Sequence, residues 1–190
     1  MAFSAKALVR RLLAGVFHEY RINWIVASSG NPEHLFPADI TVRRFECADG
    51  DALAGLPDDV FRSGLNYHRH GMDGLALIAD RQIAAVAHFA SQDLYTFQSI
   101  WPLQAGEVAL VDIATQNAAR GKGYATILIC QATRFYTAQG TTRLIAFIWW
   151  SNTASRRCFA KAGWRTIAMT FEARCFGRWW SLRIPLVVTG

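Results

Sequence analysis

A short turn holds the residues of this chain that are best suited to chemistry. It consists of Arg120, Gly121, Lys122 and Gly123, and a helical pattern begins directly after it at Tyr124. Glycine has no Cβ atom, so two glycines this close allow successive main-chain N–H groups to point into one concavity. The following helix adds its positive end at the same point. The turn therefore predicts a binding site for an anion, most naturally a pyrophosphate.

The spacing of the glycines excludes two known kinds of phosphate loop. The P-loop pattern GxxxxGK[ST] is absent, and Thr126 occupies the position where a dinucleotide fingerprint has its third glycine. The segment before the turn, Val108–Ala114, is rich in Val, Ile and Leu and predicts a mostly buried strand. The sequence thus predicts a strand, a glycine turn and a helix in succession around the anion.

A second pattern follows further along the chain. After a predicted strand over Leu144–Trp150, Asn152 is followed by Ser155, Phe159 and a closing Gly163-Trp164 pair. Together with the RGKGYA turn, this pattern resembles the two signatures of the GNAT superfamily, the acyl-CoA-dependent N-acetyltransferases. Because the two signatures are independent and occur in the right order, the resemblance is stronger than either would be alone.

The resemblance implies that acetyl-CoA or coenzyme A is a co-substrate. The end of the central strand would offer backbone groups to the pantetheine arm, and one amide there could polarise the thioester carbonyl. The turn would hold the pyrophosphate, Asn152 would contact the pantetheine, and Arg156 and Arg157 would reach CoA phosphates or lie in solvent. The predicted cofactor-binding residues are Ile113, Ala114, Thr115, Arg120, Gly121, Lys122, Gly123, Tyr124, Ala125, Thr126, Asn152, Ser155, Arg156 and Phe159.

Two carboxylates are candidates for the catalytic base. Acyl transfer to an amine requires removal of the amine's proton, which a carboxylate can accept directly or through water. Glu107 lies thirteen residues before Arg120, the distance at which the histone acetyltransferases of the family carry their glutamate base. Asp112 is the alternative, because a charged residue within an apolar strand must face a cavity or find a partner.

Two departures from the family pattern concern the loop and the leaving group. Ala118 replaces the Gln or Arg that often leads the loop, which leaves the amide nest intact. Phe159 stands where many members carry a tyrosine that protonates the departing thiolate, and a phenylalanine cannot donate a proton. The thiolate could then leave unaided, another hydroxyl such as Tyr124, Tyr136 or Ser155 could supply the proton, or the protein could bind acyl-CoA without turnover.

Histidines and tryptophans are the remaining candidates for function. His68 and His70 lack a third metal ligand nearby, so no metal site is expected, and a solvated loop or contact with the acceptor remain open. His88 lies in an apolar strand, where a hydrogen-bonded core histidine is more common than a participant in catalysis. One tryptophan of each pair, Trp149-Trp150 and Trp179-Trp180, could line the acceptor side, or they could fill sheet faces and a dimer interface.

The resemblance implies an α+β fold, the GNAT fold, with a mixed and largely antiparallel sheet flanked by helices. We expect an acyltransferase domain over residues 40–190, and an N-terminal extension of a helix plus a strand over residues 1–39 that packs on it. In the N-terminal extension, apolar residues at helical spacing predict a helix over Ala2–Phe17.

Individual strands and turns follow from local patterns. The N-terminal extension should contribute a strand over Tyr20–Ser28. A hairpin is predicted at Asp80-Arg81 and another at residues 175–177, and Leu94–Trp101 could add a further strand.

Composition limits the class of protein. The net charge of +6 comes from basic residues scattered as singles and pairs, which argues against a nucleic-acid arm. The longest charge-free window, Leu94–Gly106, is 13 residues long, whereas a membrane span needs about 20. Four cysteines without a CxxC pair indicate reduced core thiols in a cytoplasmic protein. Residues 1–18 could pack on the domain or on a second subunit, or lie on a membrane surface.

These observations favour an enzyme over two alternatives. The first hypothesis is an N-acetyltransferase that moves an acetyl or other acyl group from acyl-CoA to a primary amine on a small molecule or peptide. The second is an acyl-CoA-binding sensor or regulatory module without turnover, motivated by Ala118 and Phe159. The third is a membrane-surface acyltransferase that acts on a lipid-linked amine, motivated by residues 1–18.

Overall fold

The computed structural model describes residues 19–28, 37, 39–54, 59–97, 100–175 and 178–186. The predicted helix over Ala2–Phe17 lies outside these residues, as does the tip of the predicted turn at residues 176–177. Within the described part of the chain, eight strands form one sheet and four helices accompany it. The α+β architecture expected from the sequence is therefore confirmed.

The strands are β1 (Glu19–Ala27), β2 (Thr41–Arg44), β3 (Asp73–Ala79), β4 (Gln82–Ala90), β5 (Glu107–Thr115), β6 (Arg143–Trp149), β7 (Arg165–Cys175) and β8 (Arg178–Pro185). The helices are α1 (Cys47–Ala54), α2 (Arg62–Arg69), α3 (Tyr124–Ala138) and α4 (Thr153–Lys161). Their order in the sheet is β2-β3-β4-β5-β6-β1-β7-β8. The β5–β6 pair is parallel and the other neighbouring pairs are antiparallel.

Strand β1 lies inside the sheet rather than on its outside. It pairs with β6 along one edge and with β7 along the other, so that Ile25 is the partner of both Phe147 and Ala168. The expected extension therefore supplies an internal strand to the domain on which it was expected to pack. Hydrogen bonding along both edges makes residues 19–27 part of the same sheet.

Strand β6 shows how the sheet divides the core. Its side chains alternate between the two faces, as the twofold period of a strand requires. Leu144 and Ala146 join a cluster that includes Leu128 of helix α3, whereas Ile145 joins a second cluster with Ile25. Both faces of the central strands are therefore covered.

Local predictions in the middle of the chain have mixed outcomes. The hairpin at Asp80-Arg81 is present, with φ angles of 51° and 61° as a tight two-residue turn requires. No strand forms over the described part of Leu94–Trp101. Instead, the N–H groups of Leu94 and Tyr95 both donate to the carbonyl of Ser91, at 3.2 and 3.0 Å, which closes a turn. The prediction of a strand there is wrong.

Strand β8 forms one edge of the sheet and is exposed along its whole length. Trp180 is 65% and Leu182 57% exposed. Its partner β7 shields one edge of its main chain only. No helix among the described residues is long and apolar enough to cross a lipid bilayer.

Candidate functional site

The site is built where two neighbouring strands separate. Strands β5 and β6 pair at three positions, from Glu107 opposite Arg143 to Ala109 opposite Ile145. Beyond these positions, β5 continues to Thr115 and β6 to Trp149, and no further pairing between them occurs in the described chain. The two strands diverge and open a cleft between their ends.

A β-bulge in β5 directs a side chain toward this cleft. Leu110 is opposite Phe89 on β4, but Asp112 is opposite His88, so β5 carries one extra residue at Val111. Bulges of this kind bend a strand and re-aim the side chains that follow. Asp112, which the sequence predicted to need a cavity or a partner, directly follows the bulge.

The larger of two cavities at the cleft has a volume of about 680 Å³. Its walls come from the end of β5, the glycine turn, the start of α3 and one side of α4. Of the predicted cofactor-binding residues, it is lined by Ile113, Ala114, Thr115, Arg120, Gly121, Gly123, Tyr124, Ala125, Thr126, Asn152, Ser155 and Phe159.

The glycine turn has the backbone geometry that an amide nest needs. Gly121 and Gly123 have φ angles of +83° and +82°, a region that residues with a Cβ atom rarely adopt. Gly123 is the N-cap of the 15-residue helix α3. The turn therefore presents its main chain, and the positive end of α3, to the larger cavity.

Two of the predicted phosphate contacts are directed elsewhere. The guanidinium of Arg156 lies 4.6 Å from the ring centroid of Trp24 on β1, and Arg156 does not line the cavity. Lys122 is also outside the cavity wall, with its Nζ 5.8 Å from the ring centroid of Tyr124. Arg157 and Lys161 line the cavity instead. Their i,i+4 spacing puts both on one face of α4, a signal that was available in the sequence.

A smaller cavity of about 370 Å³ lies on the other side of the cleft. Aromatic side chains from α2, the β4–β5 connection and β6 form much of its wall, with polar side chains from β1. These residues are Tyr67, Phe97, Phe147, Trp149, Arg21 and Asn23. The prediction that one tryptophan of the first pair lines the acceptor side is in keeping with the position of Trp149.

The two cavities share part of their walls. Asp112, Ile113, Asn152, Ser155 and Phe159 line both. A ligand in the larger cavity and a ligand in the smaller one can therefore meet beside these residues.

Glu107 does not reach this meeting point. It is 5% exposed, its Oε1 accepts from Nε of Arg143 at 2.8 Å and from Nη2 of the same residue, and its Oε2 accepts from the N–H of Gln104 at 2.9 Å. Neither cavity is lined by Glu107. Its carboxylate thus joins the starts of β5 and β6 and the preceding turn, a structural role that leaves no oxygen directed at the cleft.

Asp112 is the carboxylate that the cleft contains. Its side chain is 21% exposed, and its Oδ2 is 3.8 Å from Nδ1 of His88 on β4. Burial, and then the charge of Asp112, raise the pKa of Tyr67 on the opposite wall. His88 is 1% exposed, and neither of its ring nitrogens has a hydrogen-bond partner. The expected core position of this histidine is therefore confirmed, whereas its expected hydrogen bonding is wrong.

The candidates for the leaving-group proton are separated by position. Phe159 is 2% exposed and packs against Trp164, with ring centroids 4.8 Å apart. Tyr136 is buried beside Phe89 and lines neither cavity. Tyr124 lines the larger cavity and Ser155 lines both.

Asn152 has a structural role at the same place. Its Oδ1 accepts from the N–H of Ser155 at 3.0 Å and so caps helix α4. The side chain therefore fixes the start of the helix that forms one wall of both cavities.

No group of three or more His, Cys, Asp or Glu side chains within the described part of the chain could hold a metal ion.

The cysteines depart from the expectation of core thiols. Cys130 is buried, Cys158 is half-buried and Cys47 is exposed. The Sγ atom of Cys47 lies 3.7 Å from Nε2 of His68.

Comparisons with known proteins agree with this geometry. A family model described as an acetyltransferase (GNAT) domain matches residues 66–165, whereas no curated protein matches the sequence. An acetyltransferase of the GNAT family from Novosphingobium aromaticivorans is similar at a TM-score of 0.60 and 14% identity, over 82% of this chain and 64% of that one.

Two further solved structures show the same fold. A GCN5-related N-acetyltransferase from Sphaerobacter thermophilus has a TM-score of 0.56 and 17% identity, over 96% of this chain and 57% of that one. The yncA acetyltransferase of Salmonella typhimurium, solved with its cofactor acetyl-CoA, has a TM-score of 0.51 and 20% identity, over 77% of this chain and 92% of that one. The chain spans less than two thirds of the length of the first two. Because the family model matches more than half of the sequence, the chain belongs to the GNAT acetyltransferase family.

Proposed function

We propose that this protein transfers an acetyl or other acyl group from acyl-CoA to a primary amine by direct attack. The observation that carries the proposal is the meeting of two cavities beside Asp112, one with an amide nest for a diphosphate and one with aromatic walls. Membership of the GNAT family supports acyl-CoA as the donor, as does the acetyl-CoA bound to the Salmonella relative.

The larger cavity takes the acyl carrier. Main-chain amides of residues 120–126 hold the diphosphate, and Arg157 and Lys161 add positive charge from α4. The pantetheine arm lies along the free edge of β5 at Ile113–Thr115, where it adds to the sheet as a further strand would. An amide of the same segment faces the thioester oxygen and stabilises the charge that develops there.

Asp112 is better placed than Glu107 to accept the amine's proton. Glu107 is held by Arg143 and Gln104, and turning it toward the cleft would break the hydrogen bonds that satisfy its buried carboxylate. Asp112 lines both cavities, and because its buried Oδ2 faces His88, Oδ1 is the oxygen that a ligand can reach. A general base must lie within reach of the proton that it removes, and of the two carboxylates Asp112 meets that condition.

The departing thiolate has two hydroxyl groups within the cavity walls. Ser155 lines both cavities and Tyr124 lines the larger one, whereas Tyr136 is enclosed in the core. We assign this step to Ser155, whose hydroxyl gives its proton to the departing sulfur and takes one from the attacking amine nitrogen, because it lies where the two ligands meet. Phe159 closes the wall beside it and excludes water.

The smaller cavity indicates the size and shape of the acceptor. A volume of about 370 Å³ accommodates a small molecule. Its aromatic walls fit a flat apolar body, and the cationic head of the amine would point toward Asp112. We therefore propose a small aromatic or apolar amine as the acceptor.

The alternative is an acyl-CoA-binding module without turnover, which Phe159 favours because it cannot donate a proton. Release of free thiol from acetyl-CoA over a panel of primary amines separates the two. The enzyme is expected to release thiol with at least one arylalkylamine in the panel. Calorimetric binding of CoA without thiol release on any amine would support the module, and absence of CoA binding would overturn both.

Two isosteric substitutions test the base. We expect Asp112→Asn to lower kcat by about 10²–10⁴ with little loss of thermal stability, because a positioned general base contributes about that factor. Glu107→Gln should lower the melting temperature and leave kcat within a few-fold, since it weakens the pair with Arg143. A Glu107→Gln protein that folds but has lost turnover would show that Glu107, and not Asp112, is the general base.

A further inference from the structure

Behind Asp112 lies a buried histidine that no part of the preceding mechanism uses. His88 is on β4 directly opposite Asp112, at a register position set by the bulge in β5. It is 1% exposed, and both of its ring nitrogens are buried without a hydrogen-bond partner. The Oδ2 atom of Asp112 is likewise buried and without a partner. The two unsatisfied groups face each other across 3.8 Å.

Such a pair is costly for the fold. A distance of 3.8 Å is too long for a hydrogen bond, and a buried polar group without one destabilises the folded state. An apolar residue at position 88 would avoid that cost, since its neighbours on the strand, Ala87 and Phe89, are themselves buried. A polar pair of this kind beside a cavity calls for a functional explanation.

The surrounding elements are shaped to keep the pair in place. Gly64 of α2 packs against it so closely that a Cβ atom would lie 2.5 Å from Cε1 and 2.7 Å from Nδ1 of His88, and 2.9 Å from Oδ2 of Asp112. Phe45 contacts the His88 ring edge to face at 5.4 Å. The titratable groups that face the pair are His68 and Tyr67, both on α2.

The proton balance of the proposed reaction shows what the pair could do. A protonated amine and an acyl thioester give an amide, a free thiol and one proton. The amine nitrogen gives up two protons when its bond to the acyl carbon forms. One of them ends on the thiol sulfur as its bond to the acyl carbon breaks, and the other must reach solvent. The ordinary pKa of a carboxyl group is about 4 and that of an imidazole is about 6.5. At neutral pH, a carboxylate therefore holds a proton less well than an imidazole does.

We propose that His88 takes the amine's proton from Asp112 and acts with it as one proton-accepting pair. The proton moves from the ammonium to Oδ1 of Asp112, a half-turn of the carboxyl group brings it to the side that faces His88, and Nδ1 of His88 accepts it, which leaves an imidazolium beside a carboxylate. This inference rests on the proposed function. It identifies His88 as a residue that acts through Asp112 without touching either ligand.

A second histidine lies beside the pair on α2. The ring centroid of His68 is 6.3 Å from that of His88, and its Nε2 is 3.7 Å from Sγ of Cys47, which is exposed. His68 is half-buried and belongs to the outer layer formed by α2. Within the proposal, this is the side of the molecule toward which the proton leaves His88 after acyl transfer.

The first test is the pH dependence of kcat/KM for His88→Gln. We expect kcat to fall by about tenfold or more with the KM for acetyl-CoA unchanged, because His88 does not line the larger cavity. The acidic limb of the profile should move to lower pH, since the imidazole is then no longer present to accept the proton. The matched control is His70→Gln, an exposed histidine just beyond α2 that should leave rate and profile unchanged.

Rescue by added imidazole tests whether the ring itself is needed. In His88→Gly, imidazole in the buffer should restore part of the rate, and the same concentration should leave Asp112→Asn unaffected. A folded His88→Gln protein with a wild-type rate and an unmoved profile would overturn the proposal. Loss of rate without a shift of the profile or rescue would also overturn it, because a merely structural role gives that result.

A measurement on the free protein does not depend on turnover. Nuclear magnetic resonance can record the ring-nitrogen signals of His88 and His70 in the wild type and in Asp112→Asn at one pH. Because Oδ2 of Asp112 faces Nδ1 of His88 at 3.8 Å, the substitution should change the signals of His88 and leave those of the exposed His70 in place. Unchanged His88 signals would contradict the pair, whereas absence of thiol release in the wild type would contradict the proposed function alone.

Discussion

Gly123 combines two requirements in one residue. Its φ angle of +82° turns the chain into α3, and it lines the larger cavity as the N-cap of that helix. A side chain at this position strains the backbone by about 1–2 kcal/mol and also projects into the space where an anion is expected. These two effects can be separated because Gly140, just past the end of the same helix, has a similar backbone conformation.

We expect Gly123→Asp to lower the affinity for CoA by at least about 100-fold, because a carboxylate would face the diphosphate. The control is Gly140→Asp, where φ is +87° and the cavity is remote. This variant should share the loss of stability and keep its affinity. Isothermal calorimetry with CoA measures both, and equal affinities for the two variants would contradict the assignment of the nest.

At the scale of single residues, a role could be predicted from the sequence where it depends on neighbours in sequence. The nest at residues 120–126 is local, and the argument that Asp112 must face a cavity or a partner depends only on its apolar strand. Glu107 is different, because its partner Arg143 is 36 positions away and becomes a neighbour through the parallel pairing of β5 and β6. Nothing in the sequence around Glu107 shows that pairing.

At the scale of single elements, helix α1 depends on a carboxylate for its start. Both oxygens of Asp49 accept from the guanidinium of Arg43, at 2.6 and 2.7 Å, and Oδ2 also accepts from the N–H of Glu46 at 2.9 Å. The hydrogen bonds from Arg43 lower the pKa of Asp49, burial opposes them, and the hydrogen bond from Glu46 lowers the pKa further. The pair ties β2 to the helix that follows it.

This lowered pKa predicts an acid-sensitive contribution to stability. The contribution is fully present above the unfolded-state value of about 4 and is lost as the pH falls through the lower folded-state value. Between about pH 5 and pH 2, the melting temperature of Asp49→Asn should therefore fall less than that of the wild type. Asp51→Asn, an exposed substitution on the same helix, should follow the wild type. An equal fall of the melting temperature with pH in all three proteins would contradict this account.

Elements whose signals are local were predictable. The two-residue hairpin at Asp80-Arg81 is an example, because turn length and flanking strands determine it. The prediction of a strand over Leu94–Trp101 was wrong because its aromatic residues pack into the core instead of joining the sheet. Tyr95 and Ile100 are buried in the cluster that also contains Ile25, and the backbone turns at Ser91. An apolar run alone does not distinguish these outcomes.

At the scale of the whole molecule, the position of β1 was the main feature that the sequence could not supply. A strand pattern over Tyr20–Ser28 was visible, but which strands it joins depends on register and free edges elsewhere. The boundary expected at residue 39 remains a prediction, although hydrogen bonding carries the sheet across it. The mixed, largely antiparallel sheet flanked by helices was expected, and the shared fold confirms it.

A matched pair of substitutions tests the importance of the central position. Ile25 is fully buried between β6 and β7, whereas Ile184 on the edge strand β8 is 37% exposed. Ile25→Ala should lower the free energy of unfolding by about 2–5 kcal/mol, and Ile184→Ala by less than about 1 kcal/mol. Chemical denaturation measures both. Equal losses would show that β1 does not carry the central role given to it.

The place of β1 also determines when the molecule can fold during synthesis. This strand leaves the ribosome before both of its neighbours, of which one ends at Trp149 and the other at Cys175. Ile25 and its apolar neighbours therefore wait until those two strands have been synthesised, and closing so long a loop makes the late step slow. A stalled or shortened chain would expose this strand to solvent, where chaperones or aggregation would compete for it.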